Sequence, residues 1–187
     1  IFSSRGGRGS VDCLIKIQEF VRESFTDKSH VDCISLDIEG AFNGTGKEVI
    51  LAGLWNMGIR GRLFKVVSSF LVDRFYVTRA NGELSSVRRV QGGIPQGSPL
   101  SPILFQLVTV GLTRVLNPFP SVQLYIYADD LTLLAKANKS EGSTDLVNAI
   151  LAISNWASDN GFGFNPSKSS HLHLCKFYKC THPNYNL

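Results

Sequence analysis

The chain has 187 residues, 43% of them hydrophobic, which is enough apolar material to bury a core as one domain or most of one. Its net charge of +4 suits a polyanionic partner without establishing one, because the basic residues are scattered along the chain as on any solvated surface. Four cysteines are too few at this length for a disulfide scaffold, and the longest apolar stretch, 103–112, is interrupted by Gln106 and Thr109 and is too short to span a bilayer.

Taken in chain order, Ile1-Phe2 runs directly into a basic, glycine-rich loop at 6–10 with no secretion signal, so an intracellular protein of the nucleus or cytoplasm is expected. The absence of an initiator Met suggests a piece of a longer reading frame. Ser10 is a candidate cap for a helix that carries Leu14, Ile17, Val21 and Phe25 on one face. Residues 31–38 read as a buried strand that ends near Asp37. Gly40, Gly44 and Gly46 mark a turn before a helix at 47–56, stopped by Gly58, and a second helix follows at 62–72. Asn81-Gly82 between 75–80 and 84–90 predicts a two-residue hairpin. The loop 91–99 precedes a long apolar helix at 100–116, ended by Pro118. Two β-prone runs, 122–126 and 131–135, enclose Tyr127-Ala128-Asp129-Asp130, which reads as a second hairpin with acids at its tip. A helix at 144–160 leads through Gly161-Phe162-Gly163 to a last strand at 170–175. The pattern predicts an α+β fold, an antiparallel sheet with helices packed on one side.

An Asp-Asp pair at a turn is compatible with plain solvation. If the strand ending in Asp37 neighbours the Asp129-Asp130 hairpin, three carboxylates converge at one end of the sheet. Three such acids can hold two divalent ions about 3.5–4 Å apart, the arrangement of phosphoryl and nucleotidyl transfer. His171, His173 and Cys175, with Cys180 and His182, could be imagined as a zinc site, but the first three alternate as in a strand and the cysteine spacing is loose for zinc. Cys13 and Cys33 read as reduced core thiols. Asn43-Gly44-Thr45 and Asn138-Lys139-Ser140 read as chance matches to the glycosylation triplet.

Three longer segments carry a resemblance. Leu36-Asp37-Ile38-Glu39-Gly40-Ala41-Phe42-Asn43 resembles the first catalytic motif of reverse transcriptases. The run Gln91-Gly92-Gly93-Ile94-Pro95-Gln96-Gly97-Ser98-Pro99 and its continuation to Phe105 resembles their substrate-binding motif, and Tyr127-Ala128-Asp129-Asp130 their metal-binding tetrapeptide. Order and spacing also match. Arg5-Gly6-Gly7-Arg8-Gly9-Ser10-Val11-Asp12, the segment from Trp156 to Asn165-Pro166-Ser167-Lys168, and the closing His171-to-Cys175 strand narrow the likeness to non-LTR, LINE-type retrotransposon enzymes of the jockey and CR1 sort.

The resemblance implies a polymerase palm at 31–187 and partial fingers at 1–30, in one domain fragment without a thumb. It implies Asp37, Asp129 and Asp130 as catalytic metal ligands, assisted by the Ile38 carbonyl, with two Mg²⁺ ions or Mn²⁺ in their place. Phe42 would lie under the incoming sugar and reject a 2′-hydroxyl; a core aromatic is the plainer reading. Gln96 and Gly97 would touch the nucleotide, and otherwise read as loop residues. Lys168 would neutralise or protonate departing pyrophosphate, or is a surface lysine. Arg5, Arg8 and Tyr127 would contact nucleic acid, and Trp156 reads as packing. Two positions depart from the pattern: Asn43 stands where many relatives carry Asp, and Gln106 where Asn is common. The implied partners are an RNA template, a DNA primer, dNTPs and the rest of a retrotransposon polyprotein, including endonuclease and thumb, with no membrane. The implied activity is RNA-directed DNA polymerisation; the alternative is an inactive retrotransposon remnant that folds and binds nucleic acid. An RNA-synthesising or group II intron-type enzyme shares the palm, but Phe42 disfavours the RNA-synthesising version.

Overall fold

The computed structural model describes residues 9–90, 92–137 and 142–176. In chain order the elements are α1 (Ser10–Thr26), β1 (His30–Glu39), α2 (Ala41–Gly44), α3 (Lys47–Asn56), α4 (Gly61–Leu71), β2 (Phe75–Tyr76), β3 (Arg79–Ala80), β4 (Glu83–Leu84), β5 (Arg88–Arg89), α5 (Leu100–Val115), β6 (Val122–Tyr127), β7 (Asp130–Ala137), α6 (Thr144–Asp159), β8 (Gly163–Phe164) and β9 (Ser170–Leu174). They divide into two compact units, Ile1–Glu39 with Thr109–Leu187, and Gly40–Val108.

The first unit is built on one antiparallel sheet ordered β6-β7-β1, with β8 and β9 sharing the far edge of β1. The period-2 pattern of β1 explains its central place. Asp32, Ile34, Leu36 and Ile38 are buried, while Cys33, Ser35 and Asp37 alternate with them and stay half-open. Leu131 and Leu133 of β7 stand opposite Leu36 and Ile34 and are completely buried. Helix α6 packs on β6, β7 and β8. Its buried stripe Leu146, Ala149, Ile153 and Ala157 has helical spacing, and the Ser143 hydroxyl accepts the Leu146 N–H at its start. Trp156 stacks on Phe162 with ring centroids 5.7 Å apart, and its indole edge lies where a Cβ on Gly111 would come within 2.8 Å. Trp156 is thus used in packing.

The second unit buries Ile50 and Leu54 of α3, Val67 and Leu71 of α4, Ile94, and Leu104 and Phe105 of α5. The Arg60 guanidinium lies 3.4 Å over the Trp55 ring, which meets Phe64 edge-on.

Several local expectations change. Helix α1 begins at Ser10 and its cap is Gly9, whose N–H is accepted by the Asp12 carboxylate at 2.7 Å. Leu14 is 63% exposed, while Ile17, Val21 and Phe25 of the expected face are half-buried beside the buried Cys13 and Ser24. The turn after β1 contains the short helix α2, started by Gly40 at φ 59. The 75–90 hairpin is split into two pairs of two-residue strands, all exposed, because the Ser85 hydroxyl takes the Thr78 N–H that a continuous ladder would use. Gly163-Phe164, read as a connector, is a strand on Ile38-Glu39. Cys13 and Cys33 are free thiols, both held protonated chiefly by burial. Among the described residues no helix is long and apolar enough to cross a membrane. The Asn138-Lys139-Ser140 triplet lies outside the described residues.

Candidate active site

The turn joining β6 to β7 is Ala128-Asp129, closed by the pair Tyr127–Asp130. Ala128 sits at φ 54, a left-handed conformation that costs a side chain about 1 kcal/mol or more and gathers at functional turns. Asp130 is therefore the first residue of β7, and the register places it directly opposite Asp37 on β1. Residues so paired share a face, with Cβ atoms about 5 Å apart, so like charges repel there. The Asp130 carboxyl is accordingly pushed above its ordinary range, first by burial, then by the charges of Asp129 and Asp37; Lys168 offsets part of this.

Lys168 is the counter-charge. Its Nζ lies 3.4 Å from Asp37 Oδ2. The loop that carries it hangs on Asn165, whose N–H is donated to the Asp37 carbonyl at 3.0 Å. The Asn165 side chain accepts the Ser167 N–H and hydroxyl, and its carbonyl accepts the Lys168 and Ser169 N–H groups. This Asx-type turn fixes the path of the loop, a role for Asn165 that its place beside proline hints at and nothing in the sequence proves. Tyr127, 38% exposed, shares the face of Asp37 and Asp130 by register.

The donor chemistry fits a hard divalent cation: oxygen ligands only, with one carboxyl held above its ordinary value by burial and then by its acidic neighbours. With the side chains as oriented, no three His, Cys, Asp or Glu groups among the described residues close into a ligand set. Backbone register, rather than rotamers, gathers the acids.

A pH consequence follows for the metal-free protein. A carboxyl raised in the folded state binds its proton more tightly there than in the unfolded chain. Its favourable contribution is complete below the ordinary value of 3.8 and disappears as pH rises through the raised folded value. Asp130→Asn should therefore raise the metal-free melting temperature by about 1–2 °C at pH 7, an effect kept small by solvent screening. The difference should shrink towards pH 4. A thermal-shift series over pH in chelator checks this, and a variant less stable than the parent at pH 7 contradicts it.

The second unit holds the other candidate residues. Phe42, on α2, packs its ring 5.2 Å from that of Phe105. The Phe42 carbonyl accepts the Ile94 N–H at 2.6 Å, and Gln96 Nε2 donates to Asn43 Oδ1 at 3.2 Å. The two motifs, whose contacting residues Asn43 and Gln96 are 53 apart in sequence, are thus adjacent here, and the Asn43 amide serves as a partner for Gln96. Gly97 requires its glycine for φ 86. Gly93 requires it twice: its φ is 77, and a Cβ would meet the backbone of Phe42 and Asn43 at 2.8–2.9 Å. Gly93→Ala is expected to destabilise by about 2–4 kcal/mol, a fall of roughly 5–12 °C in melting temperature by calorimetry; a change under a degree contradicts the packing.

Sequence reasoning missed Arg74. Its Nη2 donates to the carbonyls of Gly92 and Gly93 at 2.7 and 2.6 Å, clamping the substrate-motif loop from the side. One arginine among many in the sequence gives no signal of this. Arg5 and Arg8 lie outside the described residues.

The antiparallel sheet with its packed helices has the architecture of a polymerase palm. Consistent with that, the fold is similar to apo telomerase from Candida tropicalis (TM-score 0.63, 14% identity, 91% of this chain and 36% of that one) and to telomerase from Candida albicans in complex with a fragment of telomeric RNA (TM-score 0.65, 14% identity, 88% and 31%). The profile of the reverse transcriptase (RNA-dependent DNA polymerase) family matches residues 3–184, and the chain belongs to that family, among those of non-LTR retrotransposons. It is 25% identical over 174 residues to a probable RNA-directed DNA polymerase from transposon BS of Drosophila melanogaster, and 27% over 176 residues to that of the mobile element jockey of Drosophila funebris. It is also 24% identical over 173 residues to a Pol polyprotein from the retrotransposable element R2 of Popillia japonica. These alignments cover 90%, 91% and 88% of this chain, but only 19%, 19% and 28% of those proteins. The chain thus spans about a fifth of the length of the first two relatives. Members of the family use divalent metal ions.

Proposed function

We propose that this chain is the catalytic palm, with part of the fingers, of an RNA-directed DNA polymerase that copies an RNA template from a DNA primer. The observation that carries the reading is the register of Asp37 against Asp130, beside the strained turn that holds Asp129. The reaction joins the primer 3′-oxygen to the α-phosphorus of a dNTP, breaks the bond to the β-phosphate and releases pyrophosphate.

Asp37, Asp129 and Asp130, with the Ile38 carbonyl, would hold the divalent ions. Mg²⁺ is the natural choice for a carboxylate and phosphate site, with Mn²⁺ as a substitute. Bound there, the ions supply activation of the 3′-hydroxyl and charge stabilisation of the transferring phosphate. The chain's own residues do the rest. Lys168, placed at Asp37, meets the negative charge of departing pyrophosphate. Phe42 presents a ring that excludes a 2′-hydroxyl. Gln96 and Gly97 form the nucleotide-facing loop, which Arg74 and Asn43 hold in shape. Tyr127 offers an exposed ring to nucleic acid, and Arg5 and Arg8 offer charge to template phosphates. Endonuclease and thumb would come from the remainder of a polyprotein, and the work would take place in the nucleus or cytoplasm.

Primer extension on an RNA template with Mg²⁺ and dNTPs, by the chain carried in its full reading frame, is the test. Template-dependent DNA product is expected; its absence with intact, folded protein overturns the reading.

A further inference from the structure

The polymerase reading leaves one buried cluster unused. β1 presents Asp32 in the row of Ile34, Leu36 and Ile38, where an aliphatic residue is the natural occupant. The Asp32 side chain is fully buried, and a buried carboxylate is stable only when its oxygens are well paired. Its partners come from the opposite strand. His173 Nδ1 lies 2.7 Å from Asp32 Oδ1, and His171 Nε2 lies 3.2 Å from the same atom. The His173 side chain is 1% exposed, and its Nε2 meets His30 Nδ1 at 3.0 Å. A carboxylate only accepts, so His173 donates from Nδ1 and His171 from Nε2. The contact between His173 Nε2 and His30 Nδ1 then carries a single N–H, one nitrogen donating and the other accepting. This accounts for the alternating histidines at the end of the sequence: they face Asp32.

The consequence is mechanical. β9 lies at the edge of the sheet and has little apolar anchorage, with Leu172 55% exposed. The side chains that seat it inward are His171 and His173. Lys168 stands two residues before β9, in a loop whose other end is tied by β8 to Ile38-Glu39 and by Asn165 to the Asp37 carbonyl. β9 therefore holds the far end of the loop that carries Lys168, while Asn165 shapes the stretch between.

We propose that Asp32, His171 and His173 are positioning residues: a buried polar anchor that seats β9 on β1 and thereby holds Lys168 at Asp37. The proposal rests on the polymerase reading for its kinetic consequence and on geometry alone for the anchor.

Two measurements on the full-length protein test it. In hydrogen exchange, His173→Leu and the isosteric Asp32→Asn should each speed exchange of the β9 amides about tenfold or more, while those of β6 and β7 keep their protection. In primer extension, the same substitutions should lower kcat about tenfold with the primer–template KM unchanged. In a Lys168→Ala background they should add less than a twofold loss, because their effect passes through Lys168. Unchanged β9 exchange overturns the anchor. Losses that multiply in full with Lys168→Ala overturn the positioning role, and so does a stoichiometric bound zinc ion that His173→Leu removes. If His173→Leu does not fold, Asp32→Asn, which keeps shape and one acceptor oxygen, decides both measurements. An unsubstituted protein that extends no primer removes the polymerase reading, and β9 exchange then judges the anchor by itself.

Discussion

Asp129→Ala is expected to lower primer extension by at least about 1000-fold while leaving the fold intact, the scale on which preorganised charge at a phosphoryl-transfer site acts. The fold should survive because Asp129 is the second residue of a two-residue turn. The left-handed strain lies on Ala128, and the ladder on either side closes through Tyr127 and Asp130. The Asp130 carboxyl is raised first by burial and then by the Asp129 charge, and removing Asp129 relieves that second part, so the variant should be no less stable than its parent without metal. Loss of activity together with unchanged circular dichroism and melting temperature is therefore the expected pair of results. Extension at the parental rate would remove the acids from the mechanism. Asp37→Asn should behave alike in activity, with one difference: it also takes away the carboxylate charge that Lys168 faces at 3.4 Å.

The second large effect is on sugar choice. Phe42→Val should raise incorporation of ribonucleotides relative to deoxynucleotides by roughly 100-fold, since removing a steric block against one hydroxyl is worth about 2–3 kcal/mol in the transition state. The Phe42 ring is half-buried against Phe105, so the substitution also opens a small gap and should cost about 1–3 kcal/mol of stability. Competition between a ribonucleotide and its deoxy counterpart in single-nucleotide extension reads selectivity separately from stability. Unchanged discrimination, with a destabilised protein, would leave Phe42 as a core aromatic only.

Local patterns made much of this legible beforehand. Helix α3 falls at 47–56 as its glycine boundaries imply, and the ends of α5 and α6 differ from their expected limits by a single residue. The apolar run 31–38 and the paired β-prone runs around Asp129-Asp130 announce strands because short apolar runs between turn residues suit a sheet; that one face of β1 stays half-open is visible only in the structure. The weaker expectations failed where two signals competed. Ser10 looks like a cap, yet the Asp12 carboxylate reaches the Gly9 N–H first. Leu14 fits a helical stripe, but Cys13 and Ser24 are the residues that α1 buries. Asn81-Gly82 does form its turn, and the ladder beside it breaks where the Ser85 hydroxyl takes the Thr78 N–H.

Residue types at the candidate site, their order and the family of the chain can be read along the sequence, because these are properties of spacing along a chain. Tertiary structure alone decided which groups meet. Asp37 faces Asp130 through strand register, which a shift of one residue would undo. Asp32 meets His171 and His173 across about 140 residues of chain, a pairing that no local pattern encodes. Arg74 clamps the loop at Gly92 and Gly93, and Asn165 shapes the turn that brings Lys168 to Asp37. Periodicity records which face of an element is buried; only the packed sheet fixes which partner that face receives.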